Sequence, residues 1–248
     1  MRLNYIDNVD CLEGLKDVPD HSVDVIITDP PYGTTRNNWD NVVPFDRLWC
    51  EFERITKDNA AVVVFSQQPF AAQVILSNPD MFRYEWIWEK QQGTGHLNAK
   101  KMPLKAHENI LIFYKKLPTY NPQMRVGFKP YTCKSGRGST NYGSQESVTT
   151  VSNGERYPVD VLKFASDKGL HPTQKPVALL EYLVKTYSNP GDVVFDPFMG
   201  SGTTAVACLR TGRHYIGFEL SAEYCQIAEQ RVTEAIDHLV ELEEVPGA

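Results

Sequence analysis

Short runs of hydrophobic residues recur along the chain and are separated by polar stretches. They occupy residues 23–28, 60–65, 109–114, 192–195 and 214–218. Each run is rich in β-branched or aromatic residues, and the first is soon followed by Pro30 and Pro31. Runs of this length with turn residues beside them are typical of buried β-strands. We therefore predict five strands here and a further strand around Trp86 and Trp88, which alternate with other residue types.

Apolar residues at helical spacing appear in the second half of the chain. Residues 177–187 form one such segment, and Pro176 before it suits the first turn of a helix. Ser221 can cap a last helix, and another helix is expected over residues 203–210. Strands that alternate with helices predict a mostly parallel, twisted sheet with helices on both faces. The predicted fold class is therefore α/β, with a single Rossmann-like domain.

The segment 117–166 differs from the rest of the chain. It is rich in Gly, Ser, Thr, Asn and Tyr, and its hydrophobic residues show little periodicity. Such composition is typical of loops that carry binding residues, so we predict a loop-rich insertion and assign it no secondary structure. The insertion would divide one domain into residues 1–116 and residues 167–248.

The tetrapeptide Asp29-Pro30-Pro31-Tyr32 directly follows the first predicted strand. Open α/β sheets place their ligands at the carboxyl ends of strands. The Asp29 carboxylate and the Pro30 carbonyl are two acceptors that can hold both hydrogens of a base amino group and aim its lone pair at a methyl donor. Tyr32 offers a ring on which a base taken out of a duplex can stack. Asp-Pro-Pro is also common in turns, so a plain surface turn is the alternative.

A glycine-rich turn follows the strand at residues 192–195. Gly200 and Gly202 let the backbone approach a ligand closely, and a helix start offers unpaired N–H groups. A phosphate-binding loop would need Lys after its last glycine, where this chain has Thr203. The next strand ends at Glu219, an acid placed where dinucleotide-binding folds hold a ribose diol. The arrangement indicates a site for an adenosyl ligand.

In this order the two motifs resemble those of the amino-group DNA methyltransferases, and specifically the permuted group in which the catalytic motif precedes the cofactor motif. Residues 9–12 resemble the amino-terminal element that contacts the cofactor adenine. Residues 171–176 resemble the element beside the methionine end, and residues 107–113 resemble a recurring structural strand. The segment 117–166 lies where such enzymes keep their target-recognition region.

The resemblance implies S-adenosylmethionine as the cofactor, no metal, and a role for each matching residue. The implied catalytic residues are Asp29, Pro30, Pro31 and Tyr32. The implied cofactor-binding residues are Asp10, Cys11, Asp29, Thr173, Lys175, Asp196, Phe198, Gly200, Ser201, Gly202, Thr203 and Glu219. Lys175 would contact the methionine carboxylate, although a lysine at a helix start more often faces solvent.

The net charge of −6 conceals an uneven distribution. Residues 83–137 contain eleven Lys and Arg, three Glu and no Asp, which gives +8 and leaves −14 for the rest of the chain. A basic segment in an acidic chain is expected of a protein that binds phosphates on one face. We predict that Lys100, Lys101, Lys105 and Arg137 bind nucleic acid; a solvated polar surface is the alternative.

The five cysteines are scattered, odd in number and contain no Cys-x-x-Cys pair, which disfavours a disulfide framework and a zinc site. No stretch approaches the roughly 20 apolar residues of a membrane span, and residues 1–5 lack an apolar signal core. We therefore expect a protein of the cytoplasm, in a bacterial or phage-infected cell.

The resemblance predicts site-specific methyl transfer to an exocyclic base nitrogen in double-stranded DNA, with base flipping. Adenine N6 is favoured over cytosine N4, because family members that act on cytosine more often have Ser where this chain has Asp29. A methyltransferase of RNA or of protein amides is a further alternative that the motif order disfavours. Cytosine C5 chemistry would need a Pro-Cys pair, which the chain lacks. A cognate restriction endonuclease and a homodimer are partners compatible with this family.

Overall fold

The computed structural model describes residues 1–33, 42–134, 147–167 and 174–244, with side chains described as far as residue 241. The chain forms two compact units. The larger comprises Met1–Asn121 and Asp160–Ala248, and the smaller comprises Pro122–Val159. The division predicted from the sequence, with an insertion at residues 117–166 between residues 1–116 and 167–248 of one domain, stays a prediction. In the described part of the chain, no helix has both the length and the apolar surface needed to cross a bilayer.

The chain alternates strands and helices. The strands are β1 (Tyr5–Asp7), β2 (Val23–Thr28), β3 (Thr56–Ser66), β4 (Phe82–Thr94), β5 (Lys105–Phe113), β6 (Tyr131–Lys134), β7 (Thr149–Ser152), β8 (Val161–Lys163), β9 (Val193–Asp196) and β10 (His214–Phe218). The helices are α1 (Cys11–Gly14), α2 (Phe45–Ile55), α3 (Phe70–Ser77), α4 (Val177–Tyr187), α5 (Thr203–Thr211) and α6 (Ala222–Glu244). Short 3-10 turns cover Leu15–Asp17 and His96–Asn98.

The larger unit contains one eight-stranded sheet in the order β1-β10-β9-β2-β3-β5-β4-β8. The strands from β1 to β3 in this order are parallel, β5 is antiparallel to both β3 and β4, and β8 is parallel to β4. The α/β class and the mostly parallel sheet are therefore confirmed. β2 and β9 are neighbours, so the chain segments that follow them leave the sheet side by side.

Alternate residues of the strands pack on opposite faces of the sheet, as a two-residue side-chain period requires. Val25 and Ile27 belong to a core shared with α4, α5 and α6. Ile26 belongs to a second core shared with α1, α2 and α3. The central strands are thus buried on both sides, which explains why they appear in the sequence as continuous hydrophobic runs.

The smaller unit is built around the antiparallel pair β6 and β7. An isolated bridge between Arg125 and Arg156 extends this pairing. The Arg156 guanidinium lies 5.3 Å from the ring centre of Phe128 and 4.3 Å from that of Tyr131. Cation–π contacts of this kind stabilise a unit with little apolar core.

Candidate active site

A cavity of ≈ 510 Å³ lies beside the carboxyl ends of β2, β9 and β10. Both motifs contribute to its walls. From the residues predicted for the site it is lined by Asp10, Cys11, Asp29, Pro30, Pro31, Tyr32, Lys175, Asp196, Phe198, Gly200, Ser201, Thr203 and Glu219. Residues far apart in the sequence therefore meet in one cavity, because β2 and β9 are adjacent strands.

The Asp29 carboxylate is bound by two side chains of the protein itself. The Tyr32 hydroxyl donates to Asp29 Oδ1 at 2.6 Å. The Lys175 ammonium forms a short ion pair with Asp29 Oδ2. The Tyr32 ring also stacks on Phe70, with ring centres 4.8 Å apart. Tyr32 and Lys175 together hold the carboxylate at the cavity wall.

Lys175 is buried, with only 9% of its side chain exposed. Its Nζ also lies 3.4 Å from Glu108 Oε2, and Lys90 Nζ lies 2.5 Å from the other oxygen of Glu108. Burial favours the neutral amine, but the carboxylates of Asp29 and Glu108 outweigh it and raise the pKa of Lys175. The lysine at the start of α4 is therefore a charged group of the cavity and does not face solvent.

Asp196 connects the two motifs. Its carboxylate accepts hydrogen bonds from Thr28 Oγ1 at 3.0 Å, Thr204 Oγ1 at 2.6 Å and the Phe198 N–H at 3.1 Å. Burial raises the pKa of Asp196 to about 6, although these hydrogen bonds favour the charged form. Asp196 thus fixes the end of β2, the turn and the start of α5 to one another.

The glycine-rich turn is held from two sides. The Gly200 N–H donates to Glu219 Oε2 at 2.8 Å, and Arg231 Nη1 donates to the Ser201 carbonyl at 2.6 Å. Gly202, at φ +82°, lies against α6, where a Cβ atom would be 2.8 Å from the Cβ of Ala228. Gly202 therefore allows close packing of the turn on α6, whereas Gly200 lines the cavity.

Glu219 follows β10 and accepts backbone N–H groups on both of its oxygens, from Gly200 and from Ser221 at 2.8 Å each. Burial raises the pKa of Glu219 above its ordinary value. Each carboxylate oxygen can accept more than one hydrogen bond, so this fixed acid still has capacity for a diol. Its position in the cavity is the one expected for a ribose site.

Asp10 and Cys11 form another part of the wall. Asp10 caps α1, since its Oδ1 accepts the N–H groups of Leu12 at 3.0 Å and Glu13 at 3.3 Å. Cys11 is buried, and this burial raises the pKa of its thiol to about 12. A thiol in this state is not a nucleophile at neutral pH. Cys11 therefore serves as an apolar wall residue.

Of the predicted nucleic-acid residues, the structure describes Lys100, Lys101 and Lys105, and none of these three lines the cavity. Lys100 and Lys101 are exposed in the loop between β4 and β5. Lys105 begins β5, and its Nζ donates to Oε1 of the cavity residue Gln67 at 2.8 Å. Thr173 and Arg137 lie outside the described residues.

Several residues of the site were not predicted from the sequence, among them Glu108, Gln67 and Arg231. Glu108 and Gln67 line the cavity, and Arg231 anchors the turn. The only signal for Glu108 was its place in the segment 107–113, which resembles a structural strand of the family and in which this carboxylate stands two residues before a buried apolar run. Arg231 gives no such signal, because polar residues on an amphipathic helix usually face solvent.

The charges of the lining residues match a cationic ligand. Among the described residues, five carboxylates, those of Asp10, Asp29, Glu108, Asp196 and Glu219, line the cavity with a single ammonium, that of Lys175. S-adenosylmethionine carries a sulfonium, an ammonium and one carboxylate at neutral pH, so its net charge is positive. The donor set therefore fits this cofactor better than it fits a polyphosphate.

Comparison with known proteins agrees with this geometry. Residues 23–230 match a family model described as DNA methylase, for N6- and N4-type enzymes. The chain is 31% identical to the type II methyltransferase M.HpaI of Haemophilus parainfluenzae, over 89% of this chain and 71% of the relative. It is also 31% identical to the type II methyltransferase M1.MboII of Moraxella bovis, over 90% of this chain and 94% of the relative.

Solved structures of similar fold include M1.HpyAVI in complex with SAM, at a TM-score of 0.63 and 26% identity, covering 92% of this chain and 98% of that one. The cytosine-N4-specific PvuII DNA methyltransferase has a TM-score of 0.63 at 17% identity, covering 95% of this chain and 92% of that one. The family match spans both motifs and most of the sheet. The chain therefore belongs to the N6/N4 DNA methylase family.

Proposed function

We propose that the protein transfers a methyl group from S-adenosylmethionine to the exocyclic N6 of adenine at a specific site in double-stranded DNA. The observation that carries the proposal is that Asp29 and the glycine-rich turn with Glu219 line one cavity. An amino acceptor held at Asp29 and a cofactor held at the turn would then be neighbours. Holding two reactants together is the main source of rate in a direct transfer.

The cofactor is assigned to the part of the cavity around the turn. Glu219 would bind the ribose hydroxyls, Asp10 and Cys11 would border the adenine, and Gly200 and Ser201 would border the methionine end. When bound, S-adenosylmethionine supplies an electrophilic methyl group on its sulfonium. The solved M1.HpyAVI complex, whose fold this chain shares, contains SAM.

Asp29 and Pro30 act on the acceptor. An exocyclic amine is a weak nucleophile because its lone pair is delocalised into the base. If the Asp29 carboxylate and the Pro30 carbonyl each accept one amino hydrogen, the lone pair is turned out of the ring plane towards the methyl group. The carboxylate also stabilises the positive charge that develops on the nitrogen. The transfer would be direct, with no covalent enzyme intermediate: the N–C bond would form as the S–C bond breaks, the neutral thioether would leave, and the methylated nitrogen would lose one proton to water.

The target base must leave the duplex to reach this cavity, since Asp29 lies at the wall of a concave site. Tyr32 would stack on the flipped base. The choice of adenine N6 over cytosine N4 rests on Asp29 at the first position of the tetrapeptide. The proposal includes a location in the cytoplasm. A cognate restriction endonuclease and a homodimer are partners compatible with it.

The test is to incubate purified protein with unmethylated genomic DNA and labelled S-adenosylmethionine, digest the DNA and identify the labelled nucleoside by mass. The expected product is N6-methyladenine. N4-methylcytosine would refute the choice of base and retain the mechanism. Cofactor binding without label in DNA would refute the DNA substrate, and label in added RNA or protein would then identify the replacement.

A further inference from the structure

Four charged side chains alternate in sign beside the cavity, in the order Lys90, Glu108, Lys175 and Asp29, and the last three of them line it. The two inner members are largely buried, with 12% of the Glu108 side chain and 9% of the Lys175 side chain exposed. Buried charges are costly unless they are paired. A cluster of this kind beside a reaction site therefore needs an explanation.

Glu108 is more than a partner for Lys90. It lines the cavity, and within the described residues its Oε2 accepts no hydrogen bond, although the atom is inaccessible to solvent. Lys175 Nζ, 3.4 Å away, provides charge compensation without a well-aligned hydrogen bond. Most buried polar side-chain atoms have a hydrogen-bond partner, so this atom is an exception for which packing alone gives no reason.

We propose that Glu108 is a positioning residue for the methyl transfer, which holds the Lys175 ammonium against Asp29 and so fixes the Asp29 carboxylate for the target amino group. The inference rests on the proposed function, in which Asp29 accepts an amino hydrogen. Glu108 itself would not touch the base.

Each group that faces Lys175 supports this division of roles. Asp29 approaches it from the end of β2 and Glu108 from β5, while the rings of Phe65 and Tyr32 lie 5.2 Å and 6.0 Å from Nζ. The aromatic faces favour a cation weakly, so the two carboxylates do most to keep the buried amine charged. Within this cluster Lys90 contacts only the oxygen of Glu108 that faces away from Lys175, and the charge of Asp29 also acts on Asp196 at longer range.

The test is a Glu108→Gln variant, which keeps the size of the side chain and removes its charge. We expect kcat to fall on the order of 100-fold through misplacement of Asp29, while the Kd for S-adenosylmethionine is retained. The alkaline limb of the kcat profile should also move to lower pH, because a buried Lys175 with one carboxylate instead of two loses its proton more easily. A loss of kcat with an unmoved alkaline limb would refute the positioning role.

Glu85→Gln is the matched control. It neutralises a carboxylate on the neighbouring strand β4, where Glu85 accepts a hydrogen bond from Asn109 at 2.8 Å and does not line the cavity. Its kcat and pH profile should equal those of the wild type. An equal effect in both variants would mean that Glu108 contributes only to the stability of the sheet.

A second comparison tests whether Glu108 acts through Lys175. In a Lys175→Met background, Glu108→Gln should cause little further loss of kcat, whereas fully additive losses would refute the coupling. If the Glu108→Gln variant fails to fold, a double variant with Glu108→Gln and Lys90→Met is measured in the same way. The second change removes the Lys90 charge, which would otherwise lack its partner. A wild type that methylates no DNA refutes the proposed function; an active wild type with an unaltered Glu108→Gln variant refutes this inference alone.

Discussion

The Asp29 carboxylate is held on both oxygens, by Tyr32 and by Lys175. An Asp29→Ala variant removes the acceptor that we assign to the target amino group and leaves the glycine-rich turn and Glu219 in place. We therefore expect turnover to fall by roughly 10³-fold or more, with the affinity for S-adenosylmethionine nearly retained. Calorimetry for the cofactor and a methylation assay on the same preparation measure both. Lost cofactor binding would show that the two motifs have the opposite roles.

Asp196 gives a prediction about stability and pH. Burial raises its pKa from 3.8 to about 6, so the folded state binds this proton more tightly than the unfolded state does. The stabilisation is fully present below the unfolded pKa and is lost as the pH rises through the folded pKa. Relative to Asp196→Asn, the wild type should lose roughly 3 kcal/mol of unfolding free energy between about pH 4 and 6.

Unfolding of the wild type and of Asp196→Asn by denaturant across this pH range gives the difference between their unfolding free energies. The contributions of the other titrating groups cancel in this difference. A constant difference would mean that Asp196 stays ionised in the folded protein throughout, held by Thr28, Thr204 and the Phe198 N–H.

Some residues of the site could be predicted from the sequence, and others could not. The acid after β10 and the acid after β2 could be predicted, because each directly follows a strand and therefore lies at the carboxyl edge. The burial of Lys175 could not, since it depends on Glu108, a residue of another strand. Local sequence shows that a charge is present, but not whether a distant partner pairs with it.

The two ends of α5 differ in how closely they pack against the rest of the protein. Gly202 and Gly212 flank this helix with φ of +82° and +72°. A Cβ at Gly212 meets nothing within 4 Å, whereas one at Gly202 would lie 2.8 Å from the Ala228 Cβ. Gly212→Ala should therefore cost about 1 kcal/mol of backbone strain. Gly202→Ala should cost about 1–3 kcal/mol more, because α6 must move.

Cofactor binding separates the two variants further. Movement of α6 also shifts Arg231, which holds the Ser201 carbonyl, so Gly202→Ala should weaken the binding of S-adenosylmethionine. Gly212→Ala, at the far end of the helix, should not. Equal stability losses in chemical denaturation would contradict the close packing of the turn on α6.

Elements with a strong local pattern were predicted well. β2, α4 and β10 have the predicted bounds, because each is a continuous apolar run or a helix with a clear start. The helix α2 was not predicted, although Leu48, Trp49 and Phe52 lie at helical spacing on its buried side. β4 and β5 extend beyond their apolar runs because they pair with each other in a long hairpin. β8 is a strand because it pairs with β4. A pairing with a distant segment cannot be recognised from a sequence of three residues.

The basic segment, residues 83–137, bears on how the protein would bind DNA. β5 is antiparallel to β3, so Lys105 and the loop before it lie at the edge of the sheet that carries Asp29, whereas Lys115 and Lys116 follow the opposite end of β5. Removing the charges of Lys100 and Lys101 should weaken DNA binding and reduce the salt dependence, as the slope of log K against log salt, by about two.

Removing the charges of Lys115 and Lys116 is the matched control, with the same change in net charge at the other edge. These two lysines pair with Glu53 and Asp58 at 2.6 Å and 2.5 Å. Fluorescence anisotropy with a labelled duplex at several salt concentrations measures both slopes. A similar effect of the two pairs would show that net charge, and not a particular face, governs association.

The hydrogen bond from Tyr32 to Asp29 bears on how the reaction ends. In the proposed reaction, an exocyclic amine has two hydrogens before methylation and one afterwards, so the product could no longer satisfy both of the acceptors that we assign to it, Asp29 and the Pro30 carbonyl. The Tyr32 hydroxyl, which lies 2.6 Å from Asp29 Oδ1, can then donate its hydrogen bond to this carboxylate in place of the base. It becomes an internal competitor of the methylated base and favours its departure. We expect Tyr32→Phe to release methylated duplex more slowly than the wild type, so that successive turnovers slow more than the first.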